Sequence, residues 1–298
     1  MPVKPNTAIW NLGDLYLQGM RLTYATTTTF TVAQGQARDS TNLNDIVLSL
    51  PPQNDGTPIL TPFTLNGAAN GAGGLDQGAL AASTLYYVFA IASSMNSTIN
   101  LPPSPVQSLD VPPFTTPDPT SPVTQDGYYV QANVLISTSR DNPLLPFGYD
   151  MFRRIGAVST DAGSVFRPFF QTGFGKERPM HYQTAVAPGS AATAGTTTYA
   201  TIGVLTTLVP QIACEVLVDV SVTPNAANNG VFLAPFGNTA GGDVTRMSGA
   251  ATGSAALAQL KCPAAFNAAG TPIVEVDYKT SSASDVVAFL IAGYVDQL

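Results

Sequence analysis

Short apolar runs bounded by turn-forming residues recur along the whole chain. The densest are Leu85–Ala92 and 286–294, and both are far shorter than the roughly 20 apolar residues of a membrane-spanning helix. No long stretch repeats apolar residues at the 3.6-residue period of an amphipathic helix. Runs of Val, Ile, Thr, Tyr and Phe between Gly, Pro, Asn and Asp predict an all-β fold. We expect strands at 27–32, 46–50, 85–91, 128–137, 153–159, 165–171, 200–207, 213–222, 230–234, 255–261, 273–278 and 286–294.

Three segments interrupt this pattern and suggest how the chain is organised. Residues 66–78 are glycine-rich, residues 101–126 are proline-rich, and residues 185–198 are small, polar and uncharged. Proline cannot donate to a β ladder, so 101–126 is expected to be an insertion outside any central sheet. The prediction is two β-sandwich or jelly-roll-like domains: an N-terminal arm at 1–25, a first β domain at 26–184, a linker at 185–198 and a C-terminal β-sandwich at 199–298.

Composition and charge limit the classes of partner and cofactor that we expect the chain to bind. Charged residues are 10% of the chain, the net charge is −7, and there are 24 prolines and 26 glycines. Nucleic-acid affinity comes mostly from cations that neutralise phosphates, so we expect no nucleic-acid partner and no membrane insertion. The chain has one histidine and two cysteines. We therefore expect no histidine-rich metal site, no cofactor, and no disulfide required for folding.

The sequence gives little indication of a group of catalytic residues. His181 has no recognisable Ser or Cys nucleophile motif around it, so an ordinary polar role is expected. Several aspartates could pair for glycoside hydrolysis, which needs two carboxylates and no histidine, but nothing in their spacing fixes their separation. The segment Asp39–Asp45 contains several residues with oxygen ligands and so superficially suggests a calcium-binding loop. It lacks the D-x-[DN]-x-[DN]-G order and the terminal Glu of such a loop. We expect the chain not to be an enzyme.

Two groups of residues are candidates for assembly contacts. Arg153 and Arg154 are adjacent in a chain with only 12 basic residues. Pairing with a carboxylate of this chain or of a neighbouring copy is expected, and contact with sugar or nucleic acid is the alternative. Trp10, Leu15 and Tyr16 belong to an apolar N-terminal segment that either packs on its own domain or docks on another subunit.

The first half of the chain resembles a group of tailed-bacteriophage virion proteins. The resemblance is carried by 38–42 (RDSTN), 70–85 (NGAGGLDQGALAASTL), the aromatic strand 86–92, 135–139 (LISTS) and 143–161 (PLLPFGYDMFRRIGAVSTD). These elements occur in the order typical of the group, over roughly residues 20–172. The proline-rich insertion 101–126 stands where relatives have a short polar turn.

This resemblance implies a structural component of the virion: a tail fibre, tail-associated protein, head fibre or capsid decoration. It also implies synthesis in the bacterial cytoplasm, association with other phage virion proteins, and a homotrimer, since phage appendages are usually trimeric.

Two alternatives remain open. A receptor-binding module for host surface polysaccharide would place Phe114, Phe147 and Tyr149 at one solvent-facing tip. A glycan-degrading enzyme would need two carboxylates about 5–10 Å apart in a cleft.

Overall fold

The computed structural model describes residues 16–49, 61–94, 131–173, 177–188, 194–203, 205–235, 237, 245–263, 265–266 and 274–298. Within these ranges the chain forms β-strands and no helical element, which confirms the all-β prediction. The strands are β1 Leu17–Gly19, β2 Leu22–Tyr24, β3 Thr29–Val32, β4 Gly35–Arg38, β5 Asp45–Leu48, β6 Phe63–Asn66, β7 Leu85–Ala92, β8 Asn133–Ser137, β9 Met151–Ser159, β10 Phe169–Gln171, β11 Glu177–Val186, β12 Ala200–Thr201, β13 Ala213–Thr223, β14 Gly230–Pro235, β15 Thr245–Ser248, β16 Ala256–Pro263, β17 Ala265–Phe266, β18 Val274–Thr280 and β19 Val286–Gln297.

The strands assemble into antiparallel sheets. The largest has eight strands in the order β16-β13-β19-β11-β10-β2-β3-β6. Smaller sheets are β8-β7-β9, β1-β4-β5, and β12-β18-β14-β15 with β17 paired to β18. One extensive cluster of buried apolar side chains draws on strands from both halves of the chain.

The centre of the large sheet shows why its residues form strands. In β13, the valines at 216, 218, 220 and 222 are buried, while Asp219 and Ser221 are half-exposed. This alternation matches the two-residue period of a strand with one face on the core. β13 lies between β16 and β19, so its backbone groups are paired on both sides.

The predicted N-terminal arm is too long at its C-terminal end. Residues 17–24 form β1 and β2, and Leu17, Met20 and Leu22 are buried in the core. β2 pairs with both β3 and β10 in the large sheet, and β1 pairs with β4 in the sheet β1-β4-β5. Residues 1–15 lie outside the described residues, as does the proline-rich insertion 101–126.

The predicted boundary between residues 184 and 185 falls within β11. That strand continues through Val186 because it pairs with β19, so strands of both predicted domains share one sheet. The described part of the predicted linker is also held in place: Thr196 donates its backbone N–H to Thr280 Oγ1 (2.8 Å), and the Gly195 N–H donates to the Asp285 carbonyl (2.8 Å). The division into two jelly-roll-like domains stays a prediction.

β18 differs from the pattern read in its sequence. The alternation of Glu275 and Asp277 with Val274 and Val276 predicts one solvent-facing side. In the structure all four residues are buried, and β12, β14 and β17 all pair with this strand. The two cysteines are free thiols, Cys262 buried and Cys214 half-buried, as predicted.

Candidate functional site

The paired arginines lie on β9, which pairs with β7. The register places Arg153 opposite Ala90 and Arg154 opposite Phe89, and a bulge follows at Ile155. Because a bulge shifts the alternation of a strand by one residue, it can re-aim the side chains around it. Phe152, Arg153 and Arg154 all line one cavity of about 370 Å³.

Arg154 is neutralised by the last strand of the chain. Its Nη1 lies 3.1 Å from Asp296 Oδ1, and the two side chains are 16% and 1% exposed. The prediction that one of these arginines pairs with a carboxylate is therefore confirmed. The partner lies 142 residues away in the sequence, so its identity could not be read from local spacing.

Arg140, which lies near this pair in the sequence, lines the same cavity and is also paired. Its guanidinium holds Asp141 through both oxygens, with Nε–Oδ1 at 3.0 Å and Nη2–Oδ2 at 2.6 Å. This hydrogen bonding raises the pKa of Arg140. We call the cavity the arginine pocket; it is lined by Ser40, Phe89, Arg140, Asp141, Phe152, Arg153, Arg154 and Leu298.

Arg153 differs from its two neighbours. It is half-buried and forms no hydrogen bond or ion pair with any described residue. Burial and then the like charge of Arg154 lower its pKa, while the charge of Asp39 raises it. Arginine stays protonated despite such a shift.

Asp39 acts on Arg153 through its charge but forms no hydrogen bond with it, and the Asp39 oxygens are occupied within its own turn. Oδ1 accepts the backbone N–H groups of Leu43 (2.9 Å) and Asn44 (3.2 Å). Oδ2 accepts from the Thr41 hydroxyl (2.8 Å) and the Asn44 side-chain amide (3.2 Å). The carboxylate that suggested a calcium loop therefore closes a turn, and these bonds lower its pKa against the effect of burial.

The residues proposed for receptor contact are not placed alike. Phe147 is 73% exposed. Tyr149 is half-buried, its hydroxyl donates to the Gln131 carbonyl (2.9 Å), and burial raises its pKa to about 12. Phe114 lies outside the described residues, so a shared tip formed by the three stays a prediction.

Of the N-terminal candidates, Tyr16 is described and Trp10 and Leu15 are not. The Tyr16 hydroxyl donates to Gln18 Oε1 and accepts from Gln36 Nε2. Its backbone carbonyl accepts the Arg38 N–H (3.0 Å). Tyr16 therefore packs on its own chain beside β1 and β4.

A larger cleft of about 840 Å³ lies beside β1 and β4. Gln18, Gln34 and Gln36 line it, together with Arg21 and Arg178. The pattern Gln-Gly-Gln at residues 34–36 places two of these glutamines on the same side of the strand. The prediction from the sequence did not include this cleft. No Asp or Glu occurs among the described residues that line this cleft, so they do not provide the carboxylate pair of a glycosidase.

Arg178, one wall of that cleft, has a structural role. It is 3% exposed and donates to the carbonyls of Met20 (2.9 Å) and Gly19 (2.7 Å). Burial lowers its pKa to about 10. These bonds fasten the turn between β1 and β2 to β11.

Other titratable residues are used in local structure. His181 stacks on Phe170 with ring centroids 4.8 Å apart, and burial lowers its pKa. Asp161 accepts the backbone N–H groups of Gly163 (2.8 Å) and Val165 (3.2 Å). Within the described part of the chain, no three His, Cys, Asp or Glu residues are grouped as metal ligands would be.

One face of the large sheet carries exposed apolar side chains near its β16 end. Leu257 on β16 is 80% exposed, and Val286 and Leu290 on β19 are 58% and 41% exposed. Ser221 of β13 lies opposite both Leu257 and Ala288, and Asp219 lies opposite Leu290. Directly opposed residues of paired strands have their side chains on the same face of the sheet, so these side chains lie on one surface. We call this surface the outer apolar face; it consists of Leu257, Val286, Ala288 and Leu290.

The chain was compared with known proteins. No family model, no curated protein and no solved structure matches it. None of the described residues belongs to a helix long and apolar enough to cross a membrane.

Proposed function

We propose that this chain is a non-enzymatic structural protein of a tailed-phage virion, a surface appendage assembled as a homo-oligomer. The resemblance over the first half of the chain supports the virion context, and the outer apolar face is the observation that carries the assembly. Three large apolar side chains remain exposed there, on the two strands that flank β13. Such surfaces mark protein contacts more often than isolated exposed apolar residues do.

A second copy of the chain suits this face on electrostatic grounds. The protein carries a net charge of −7, so copies repel each other wherever acidic surfaces meet. The outer apolar face carries few charges: Lys261 pairs with Glu215 (3.6 Å), and Asp219 accepts from Gln259 Nε2 (3.0 Å). Of these charged residues, only Asp219 has no ion-pair partner among the described residues.

The edge of the sheet adds to this argument. β16 ends the eight-strand order, and among the described residues no further strand pairs along its outer side. Free strand edges associate unless they are covered or blocked. Symmetric assembly through this edge and face covers both, and closed symmetry stops further growth. The threefold choice comes from the resemblance to phage appendages.

The mass of the full chain in solution tests the oligomer. We expect a trimer, and we expect Leu257→Gln combined with Leu290→Gln to shift it toward monomer. Leu144→Gln is the matched control, since Leu144 is 58% exposed on a loop away from this face. A parent chain that is monomeric at about micromolar concentration, or an oligomer that survives the double substitution, contradicts the proposed interface.

Cryo-electron microscopy of intact virions that encode the chain tests the location. We expect density for this chain on an external appendage of the head or tail. Absence of the chain from purified virions contradicts the structural role.

A further inference from the structure

The arginine pocket contains one guanidinium whose hydrogen-bond donors are not used by any described residue. Asp141 pairs with Arg140 and Asp296 pairs with Arg154, while no described residue pairs with Arg153. The charge of Asp39 acts on the pKa of Arg153, but four hydrogen bonds within its own turn occupy the Asp39 oxygens. A half-buried guanidinium with unused donors favours an anionic partner that accepts hydrogen bonds from it.

The remaining walls indicate what surrounds that anion. Phe89 and Phe152 form an edge-to-face pair with centroids 5.8 Å apart, and Phe152 is half-exposed in the pocket. Ser40 and Asp141 supply a hydroxyl and a carboxylate that can bond to ligand hydroxyl groups. A volume of about 370 Å³ is at the small end of ligand pockets.

We propose that the arginine pocket binds a carboxylate-bearing sugar, with Arg153 holding the carboxylate and Phe152 contacting the apolar face of the ring. The planar guanidinium of Arg153 can hold a carboxylate through two parallel hydrogen bonds. The mixture of an aromatic wall and hydroxyl-binding groups matches a sugar better than a small inorganic anion. Arg140 and Arg154 flank the site with guanidinium groups already fixed by their own carboxylates.

This inference goes beyond the proposed structural role and does not depend on it. Its readout is ligand binding and not oligomer mass, so either can fail alone. The full chain is titrated with glucuronate, with glucose as the neutral analogue and acetate as the anion without a ring. We expect glucuronate to bind at least about tenfold more tightly than either analogue, since a charged hydrogen bond and the ring contact are both required.

Three variants assign the site. Arg153→Gln should weaken glucuronate binding about tenfold or more, and Arg153→Lys, which keeps the charge but loses the two-pronged geometry, should fall between it and the parent. Arg246→Gln removes the same charge from β15, outside the pocket, and should bind like the parent. Thermal unfolding of each variant verifies that it is folded.

Several results overturn the proposal. One is no binding of glucuronate at about 10 mM, and another is unchanged affinity in folded Arg153→Gln. If glucuronate and glucose bind with equal affinity, Arg153 does not recognise the carboxylate. If acetate binds as tightly as glucuronate, the sugar ring makes no contribution. Tighter binding of a polyglutamate peptide than of an oligo-glucuronate assigns the pocket to an acidic protein partner instead.

Discussion

Arg154 and Asp296 are 142 residues apart in the sequence and form an ion pair of 3.1 Å. A second contact runs beside it, in which the buried Tyr294 hydroxyl donates to the Ala157 carbonyl (2.8 Å). Both contacts join β9, in the first half of the chain, to β19, its last strand. Arg154 therefore holds one sheet against another, and both Arg153 and Arg154 line a pocket.

Asp296→Asn should lower the free energy of unfolding by about 2 kcal/mol, because it leaves a largely buried guanidinium without its counter-charge. Denaturant unfolding of the full chain measures this. Asp141→Asn is the matched control at an exposed pair, 39% and 62% exposed, where the loss should stay below about 1 kcal/mol. Equal losses in the two variants contradict the assigned role of Asp296.

Gly293→Ala should disrupt the pairing of β11 with β19. A Cβ atom at this position would lie 1.9 Å from the Met180 carbonyl oxygen, so the backbone of one strand has to move. We expect a loss of about 3 kcal/mol in unfolding free energy. Gly253→Ala is the comparison: its φ is +73° but a Cβ there meets nothing within 4 Å, and about 1 kcal/mol is expected. A Gly293→Ala protein as stable as the parent contradicts the close approach.

Alkaline pH should destabilise the protein through its buried tyrosines. Burial raises the pKa of both Tyr149 and Tyr182 to about 12, against about 10 in an unfolded chain. Their neutral forms therefore favour the fold below about pH 10, and this contribution is lost as the pH rises toward 12. Unfolding midpoints at about pH 8 and 11 should show it. Tyr149→Phe should be less stable than the parent at neutral pH, but its stability should fall less between these two pH values. If the variant and the parent show the same pH dependence, this explanation is contradicted.

Glu275→Gln should stabilise the protein at neutral pH. Burial, and then the charge of Asp277, raise the pKa of Glu275, so the folded state favours its protonated form. The stabilisation is present below the unfolded pKa of about 4.3 and is lost as the pH rises. The gain from the neutral amide should therefore be clear at about pH 7 and vanish near pH 4. Glu215→Gln, which removes a charge paired with Lys261, should show no gain.

Local sequence was sufficient for much of the fold. The alternating valines of β13 identify a strand by their two-residue period. Leu85–Ala92 does so by its short length and its aromatic and β-branched residues, since a continuous apolar run has no period of its own. Shorter or more polar strands were not predicted. β4 reads Gly-Gln-Ala-Arg and β11 contains Glu, Arg, His and Gln, and both are strands because neighbouring strands pair with them.

Tertiary structure alone decided which side chains meet. The two-residue period of β18 predicts an exposed acidic face, and only the strands and segments packed around it bury Glu275 and Asp277. The low content of basic residues draws attention to Arg153 and Arg154. Only the tertiary structure shows that Arg154 has an ion-pair partner and that Arg153 has none among the described residues. Asp296 reaches Arg154 from 142 positions away, while Asp39 is occupied by its own turn. Periodicity reports the local direction of a side chain, and pairing across sheets depends on distances that sequence separation does not encode.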